Sequence, residues 1–167
     1  MSQIEKGRAR PPGGPQETPQ SLPARVNLNH ATPSWVRPGS MFFVTGCCAE
    51  RGRNRLCFPD LGHALLASAQ FYHERHDWFL RLWLLMPDHF HALIAPAPDK
   101  QLNRLLGAWK RFTTTQHQID WQKNFIDHRL RSDESWELKA QYIRQNPVRA
   151  GLIKEGEIWP YMIENEG

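Results

Sequence analysis

Residues 78–96 impose the strongest constraint on how this chain can fold. They read WFLRLWLLM, then Pro-Asp, then HFHALIAP. Two apolar runs rich in large and β-prone side chains, separated by Pro87-Asp88, read as two strands joined at a turn. Trp78–Met86 and His89–Ala95 are therefore expected to be adjacent strands. A strand has period 2, so His89 and His91 point to one face and Phe90 to the other. The apolar runs are short and carry charges nearby, so no segment of about 20 residues is suited to crossing a membrane.

The rest of the chain can be placed around this pair. Met41–Cys48 (MFFVTGCC) reads as a further strand, followed by a basic loop at Arg51–Arg55. Asp60 is placed to cap a helix that runs to about His76, with Leu61, Leu65, Leu66 and Ala69 at helical spacing. A second helix is expected from Gln101 to about Ile119, and a fourth strand over Phe125–Leu130. Ser132 is placed to cap a third helix, with Asp133 and Glu134 in its first turn, ending near Gln145 before Pro147. The order β-α-β-β-α-β-α predicts an α+β fold of the ferredoxin-like split βαβ kind. Its antiparallel four-stranded sheet has two helices on one face and the other face open for a site.

Residues 1–38 differ in kind. They hold 7 of the 13 prolines and five basic residues against two acidic ones. That composition predicts a disordered, basic, Pro-rich arm. The arm carries +3 of the chain's net charge of +4, so the remaining 129 residues carry only +1. Cys47, Cys48 and Cys57 match no common zinc spacing and read as small hydrophobes. An odd cysteine count and no apolar leader favour the cytoplasm.

Two local patterns carry chemistry. Imidazoles at i and i+2 on a central strand suit a divalent metal, though the same spacing also arises by chance. Tyr142 and Asn146 lie four apart near the end of the last helix and share a face. The amide oxygen of Asn146 can complete a site with two histidines, and the Tyr142 phenol is a nucleophile that a cation can activate. A packed Tyr with an Asn-Pro stop signal reads equally well in isolation. Asp88 either orients an imidazole or caps the turn. His128 either lines the site or packs. Clustered cations for a nucleic-acid footprint are Arg51, Arg53 and Arg55, Lys110 and Arg111, and Arg129 and Arg131. Lys139, Arg144 and Arg149 sit in or after the last helix, and Trp109 and Trp121 are candidate base-stacking surfaces.

Taken together and in order, WLLMPDHFHALI and YIRQNPVRAGLI resemble the Y1 HUH single-strand transposases, most closely the REP-associated tyrosine transposases. The resemblance spans residues from about 41 to 159 and also takes in FFVTGC and WQKNFIDHRLRSDE. It implies a transposase domain over residues 39–160, with 161–167 as a short tail. It implies that His89, His91 and Asn146 bind Mg²⁺ or Mn²⁺, although Asn stands where related enzymes often carry Gln. It implies that Tyr142 attacks single-stranded DNA to form a 5′-phosphotyrosine, acting on short repeat hairpins as a monomer or homodimer. Two other classes fit parts of the pattern. One is a non-catalytic nucleic-acid-binding module on the same fold. The other is a hydrolase in which a histidine-bound Zn²⁺ activates water.

Overall fold

A computed structural model describes residues 41–130 and 133–165. The N-terminal arm, the Ser132 cap and Arg131 lie outside the described residues. The elements are β1 (Phe42–Cys47), α1 (Pro59–Glu74), β2 (Trp78–Met86), β3 (His89–Pro96), α2 (Leu102–His117), β4 (Ile126–Arg129), α3 (Asp133–Arg144), α4 (Asn146–Arg149) and β5 (Met162–Glu164). The strands form one sheet in the order β4-β1-β3-β2-β5, and every neighbouring pair is antiparallel. β3 lies between β1 and β2, which is the split βαβ arrangement expected. The fifth strand was not expected. Met162–Glu164, within the stretch read as a tail, supply it, and β5 covers the β2 edge through pairs such as Trp83 with Ile163.

The helix starts follow local chemistry. α1 opens on Pro59, whose missing N–H costs nothing at a first helical position. Its N-cap is Phe58, and no side chain caps it. Asp60 is therefore not the cap; it sits inside the first turn, where a carboxylate suits the helix dipole. α2 ends at Gln118 in the left-handed conformation, with φ 56°.

The sheet buries both faces. On one face α1 and α2 pack Leu65, Leu66, Ala69, Leu102, Leu105 and Leu106 against Phe42, Val44, Trp83, Leu85, Phe90, Ala92 and Ile94. The centre of this layer is aromatic. Trp83 and Phe90 stack with centroids 4.6 Å apart, and Trp109 sits 4.8 Å from Trp83. Trp121 meets Phe90 edge-on at 5.6 Å. Trp109 and Trp121 are thus core residues whose indole N–H groups bond Ser68 and Thr113, not base-stacking surfaces.

The other face is not open, as the element order had suggested. Leu82, Leu84, Met86 and Leu93 pack beneath α3, which contributes Ala140 and Ile143, with Trp136 and Trp159 at the margins. The cysteines are free, and burial pushes Cys48 up to about 11 and Cys57 up to about 12, so both stay protonated.

One glycine is dictated by this packing. Gly46 on β1 is register partner of Phe90, and a Cβ there would lie 2.2 Å from the Phe90 ring. Gly46→Ala should lower the unfolding free energy by about 1–3 kcal/mol, the usual range for overpacking a filled core. Urea unfolding should show an earlier midpoint with an unchanged slope.

Candidate active site

β3 aims both imidazoles at the second face. Their ring centroids are 4.9 Å apart. His91 is buried, and its Nδ1 lies 2.8 Å from the Thr45 hydroxyl on the neighbouring strand β1. His89 Nδ1 lies 2.6 Å from Asp88 Oδ1. The second oxygen of Asp88 accepts the Gly52 N–H at 2.7 Å and the Arg51 Nε–H at 2.9 Å. Burial alone would raise the Asp88 carboxyl; the Gly52 N–H, the His89 ring and Arg51 outweigh it and hold the group below its ordinary range. Asp88 is therefore ionised and can only accept, so the His89 ring donates from Nδ1. Thr45 can hold His91 in the same way. Desolvation, then repulsion from His89 and Arg51, lowers His91 to about 3, which keeps the ring neutral. Of the two readings of Asp88, the carboxylate performs the orienting one.

The second element is α3. Ala140 and Ile143 point into the sheet, so Tyr142 emerges at the flank of the helix, 41% exposed. Its ring meets His91 at 6.2 Å between centroids and Phe43 at 6.2 Å, edge-on to the latter. Phe43 in turn stacks on His91 at 5.5 Å. Lys139 Nζ lies 5.8 Å and Arg149 Cζ 5.2 Å from the Tyr142 centroid. Asn146 does not continue α3; it opens α4 after a break at Gln145, and its Nδ2 donates to the Tyr142 carbonyl at 3.1 Å. Among the described residues no hydrogen bond joins its side chain to the histidines. No group of three or more His, Cys, Asp or Glu gathers here among the described residues.

The remaining candidates divide by face. His128 on β4 pairs with Phe43, so it stands on the histidine side of the sheet, exposed at its edge. The basic loop is drawn to the histidine-bearing turn by bonds from Arg55 N and Leu56 N to the Pro87 carbonyl. Within it Arg51 is committed to Asp88, Arg53 pairs with Glu50, and Arg55 is exposed. Arg129 pairs with Phe42 and so stands on the helix side. Arg111 is exposed on α2, in the helix layer behind the sheet. Lys110 corrects its expected role. It is buried, burial lowers its pKa, and its ammonium donates to the Gln122 and Lys123 carbonyls. It ties α2 to the loop that follows rather than facing a phosphate. Arg144 likewise forms a two-pronged pair with Glu164, with Nη2 at 2.5 Å and Nε at 3.0 Å, and a further bond to Glu137.

Thr45 and Phe43 escaped the sequence reading. Their alternation on β1 was visible, but the register that sets them beside His91 was not.

No family model matches the chain. It is 27% identical over 131 residues to the REP-associated tyrosine transposase of Escherichia coli (strain K12), covering 76% of this chain and 77% of that protein. The fold is similar to that of a REP-associated tyrosine transposase solved bound to a REP hairpin. The TM-score is 0.66 and the identity 21%, covering 78% of this chain and 80% of that one. The resemblance first carried by the two motifs therefore extends over most of the described chain.

Two outcomes follow from the site's buried groups. Lys110→Met should cost about 1–3 kcal/mol in urea unfolding, because the Gln122 and Lys123 carbonyls lose a charged donor. Arg111→Ala, on the exposed face of the same helix, should stay within about 0.5 kcal/mol. His91 stays neutral in the fold until about pH 3, whereas an unfolded imidazole takes a proton near 6.5. Its contribution to stability is thus complete above that upper value and is lost as pH falls towards the lower one. Unfolding of chelator-treated protein between pH 7 and 4 should show this decline, with a shallower dependence in His91→Gln.

Proposed function

We propose that this protein is a single-stranded DNA endonuclease and strand transferase of the transposase type. It cuts beside repeat hairpins with Tyr142 as nucleophile and works with DNA in the cytoplasm. The observation that carries the reading is the approach of the Tyr142 ring on α3 to the His91 ring on β3, at 6.2 Å. Similarity to a curated REP-associated tyrosine transposase supports it. No helix among the described residues is long and apolar enough to cross a membrane.

The histidines fit a divalent cation, Mg²⁺ or Mn²⁺. Each ring has Nδ1 engaged, which frees Nε2, and His91 is held neutral by burial. Asn146 would add its amide oxygen. When bound, such a cation polarises the scissile phosphate and offsets charge that develops on its oxygens. The chain's own groups do the rest. Asp88 and Thr45 fix the two rings, and Phe43 packs against both His91 and Tyr142. The Tyr142 oxygen attacks phosphorus in line with the 3′-oxygen. The O–P bond to tyrosine forms as the P–O3′ bond breaks. The phenol gives up its proton and the departing 3′-oxygen takes one up. The products are a 5′-phosphotyrosine and a free 3′-hydroxyl. Because one phosphodiester replaces another, attack by a second 3′-hydroxyl rejoins strands without ATP.

A labelled hairpin oligonucleotide with single-stranded flanks, incubated with Mg²⁺ or Mn²⁺, tests this on a denaturing gel. A protein–DNA adduct should form with the native chain and vanish in Tyr142→Phe and His89→Ala. Binding without any adduct would favour a non-catalytic module. Cleavage that survives Tyr142→Phe would favour a metal-activated water.

A further inference from the structure

The cations of this chain differ in what they already hold. Arg51 is paired with Asp88, Arg53 with Glu50, and Arg144 with Glu164 and Glu137. Lys139 and Arg149 are different. Among the described residues neither meets a carboxylate, and both instead sit against the half-exposed Tyr142 ring, at 5.8 and 5.2 Å. Lys139 also lies 5.1 Å from the Phe43 ring.

Their convergence is built into the backbone. Lys139 precedes Tyr142 by three residues on α3, so it lies on the same helix face. Arg149 is seven residues beyond Tyr142. It is brought back to the phenol by the break at Gln145 and by α4, whose last residue it is. An aromatic face holds an exposed cation only weakly, whereas a charge-assisted bond to phosphate is strong, and a guanidinium can make two in parallel. Both side chains are thus stored beside the phenol in a form that a phosphate can take over.

We propose that Lys139 and Arg149 form a phosphate clamp around Tyr142. The clamp holds a backbone phosphate of single-stranded DNA against the phenol, with Arg149 as the two-pronged member and Lys139 as a point charge. Its catalytic consequence rests on the reading of Tyr142 as nucleophile; the phosphate contact itself does not.

The test uses the full chain and the labelled hairpin oligonucleotide with single-stranded flanks. Binding is measured against salt in Tyr142→Phe protein, with chelator, so that no adduct forms. Adding Lys139→Ala or Arg149→Ala should weaken binding several-fold and flatten the plot of log affinity against log salt by about 0.7 per lost contact. Thermal unfolding should be unchanged in both. In the Tyr142-bearing chain, adduct formation at saturating DNA should fall about 100-fold in Arg149→Ala, with partial rescue in Arg149→Lys. An unchanged salt slope overturns the clamp, even if the native chain forms adduct and the nucleophile reading stands. A flattened slope in a chain that never forms adduct upholds the clamp and overturns the nucleophile. No binding at low salt overturns both.

Discussion

Along β3, alternation sends Phe90 into the aromatic layer and His89 and His91 to the opposite face, while pairing with β1 and β2 on its two edges removes any freedom to slip. A shift of one residue would drive imidazoles among Trp83, Trp109 and Trp121 and expel Phe90 from that packing. Loss of a buried phenylalanine alone costs about 3–5 kcal/mol. The side-chain volume that fixes the register is therefore on the face away from the chemistry. Gly46 completes the lock, since only a residue without Cβ leaves space for the Phe90 ring. The histidine pair is placed by hydrophobic packing it does not touch.

The second face shows the complementary dependence. Leu82, Leu84 and Leu93 leave an apolar surface that water would disfavour, and α3 covers it with Ala140 and Ile143. Covering that surface is what carries Tyr142 to His91. The same docking is reinforced at the sheet edge. Arg144, two residues from the phenol, grips Glu164 on β5, and Arg81 stacks over Trp136 at 4.3 Å. The C-terminal strand thus bears on the position of the tyrosine helix through named charges rather than through general compactness.

The strands, the two long helices and the split βαβ order were legible because each depends on periodicity within one segment. WFLRLWLLM and HFHALIAP are short, apolar, β-prone runs set apart by Pro87-Asp88, which marks them as strands. The shared face of His89 and His91 was legible for the same reason. What escaped depends on pairing between segments. Met162–Glu164 is too short to announce itself, and only the β2 edge makes it a strand. Leu82, Leu84 and Leu93 belong to runs apolar on both faces, which signals a covered second face, but the cover was identifiable only once α3 was placed. Lys110 looked like a surface cation because it precedes Arg111; its burial comes from a loop that folds back beneath it. Asp88 was ambiguous in sequence because turn formation and imidazole orientation use the same residue at the same place, and here one carboxylate meets the turn's histidine, Arg51 and Gly52 together.

Net charge concealed the electrostatics for a related reason. The residues beyond the arm sum to nearly zero, which by composition argues against a nucleic-acid surface. Much of that balance is struck inside the fold: Asp88 pairs with Arg51, Glu50 with Arg53, and Glu137 and Glu164 share Arg144. Charges paired within the fold contribute little to the field outside it, since each is cancelled over a few ångströms and then screened. What a phosphate meets is the remainder, and its distribution is set by which cations found no carboxylate. Among the described residues Lys139 and Arg149 are such a remainder, gathered at the flank of α3 beside the phenol. The local field at Tyr142 follows from how the fold disposes of its acids, a property of pairing geometry that no count of residues contains.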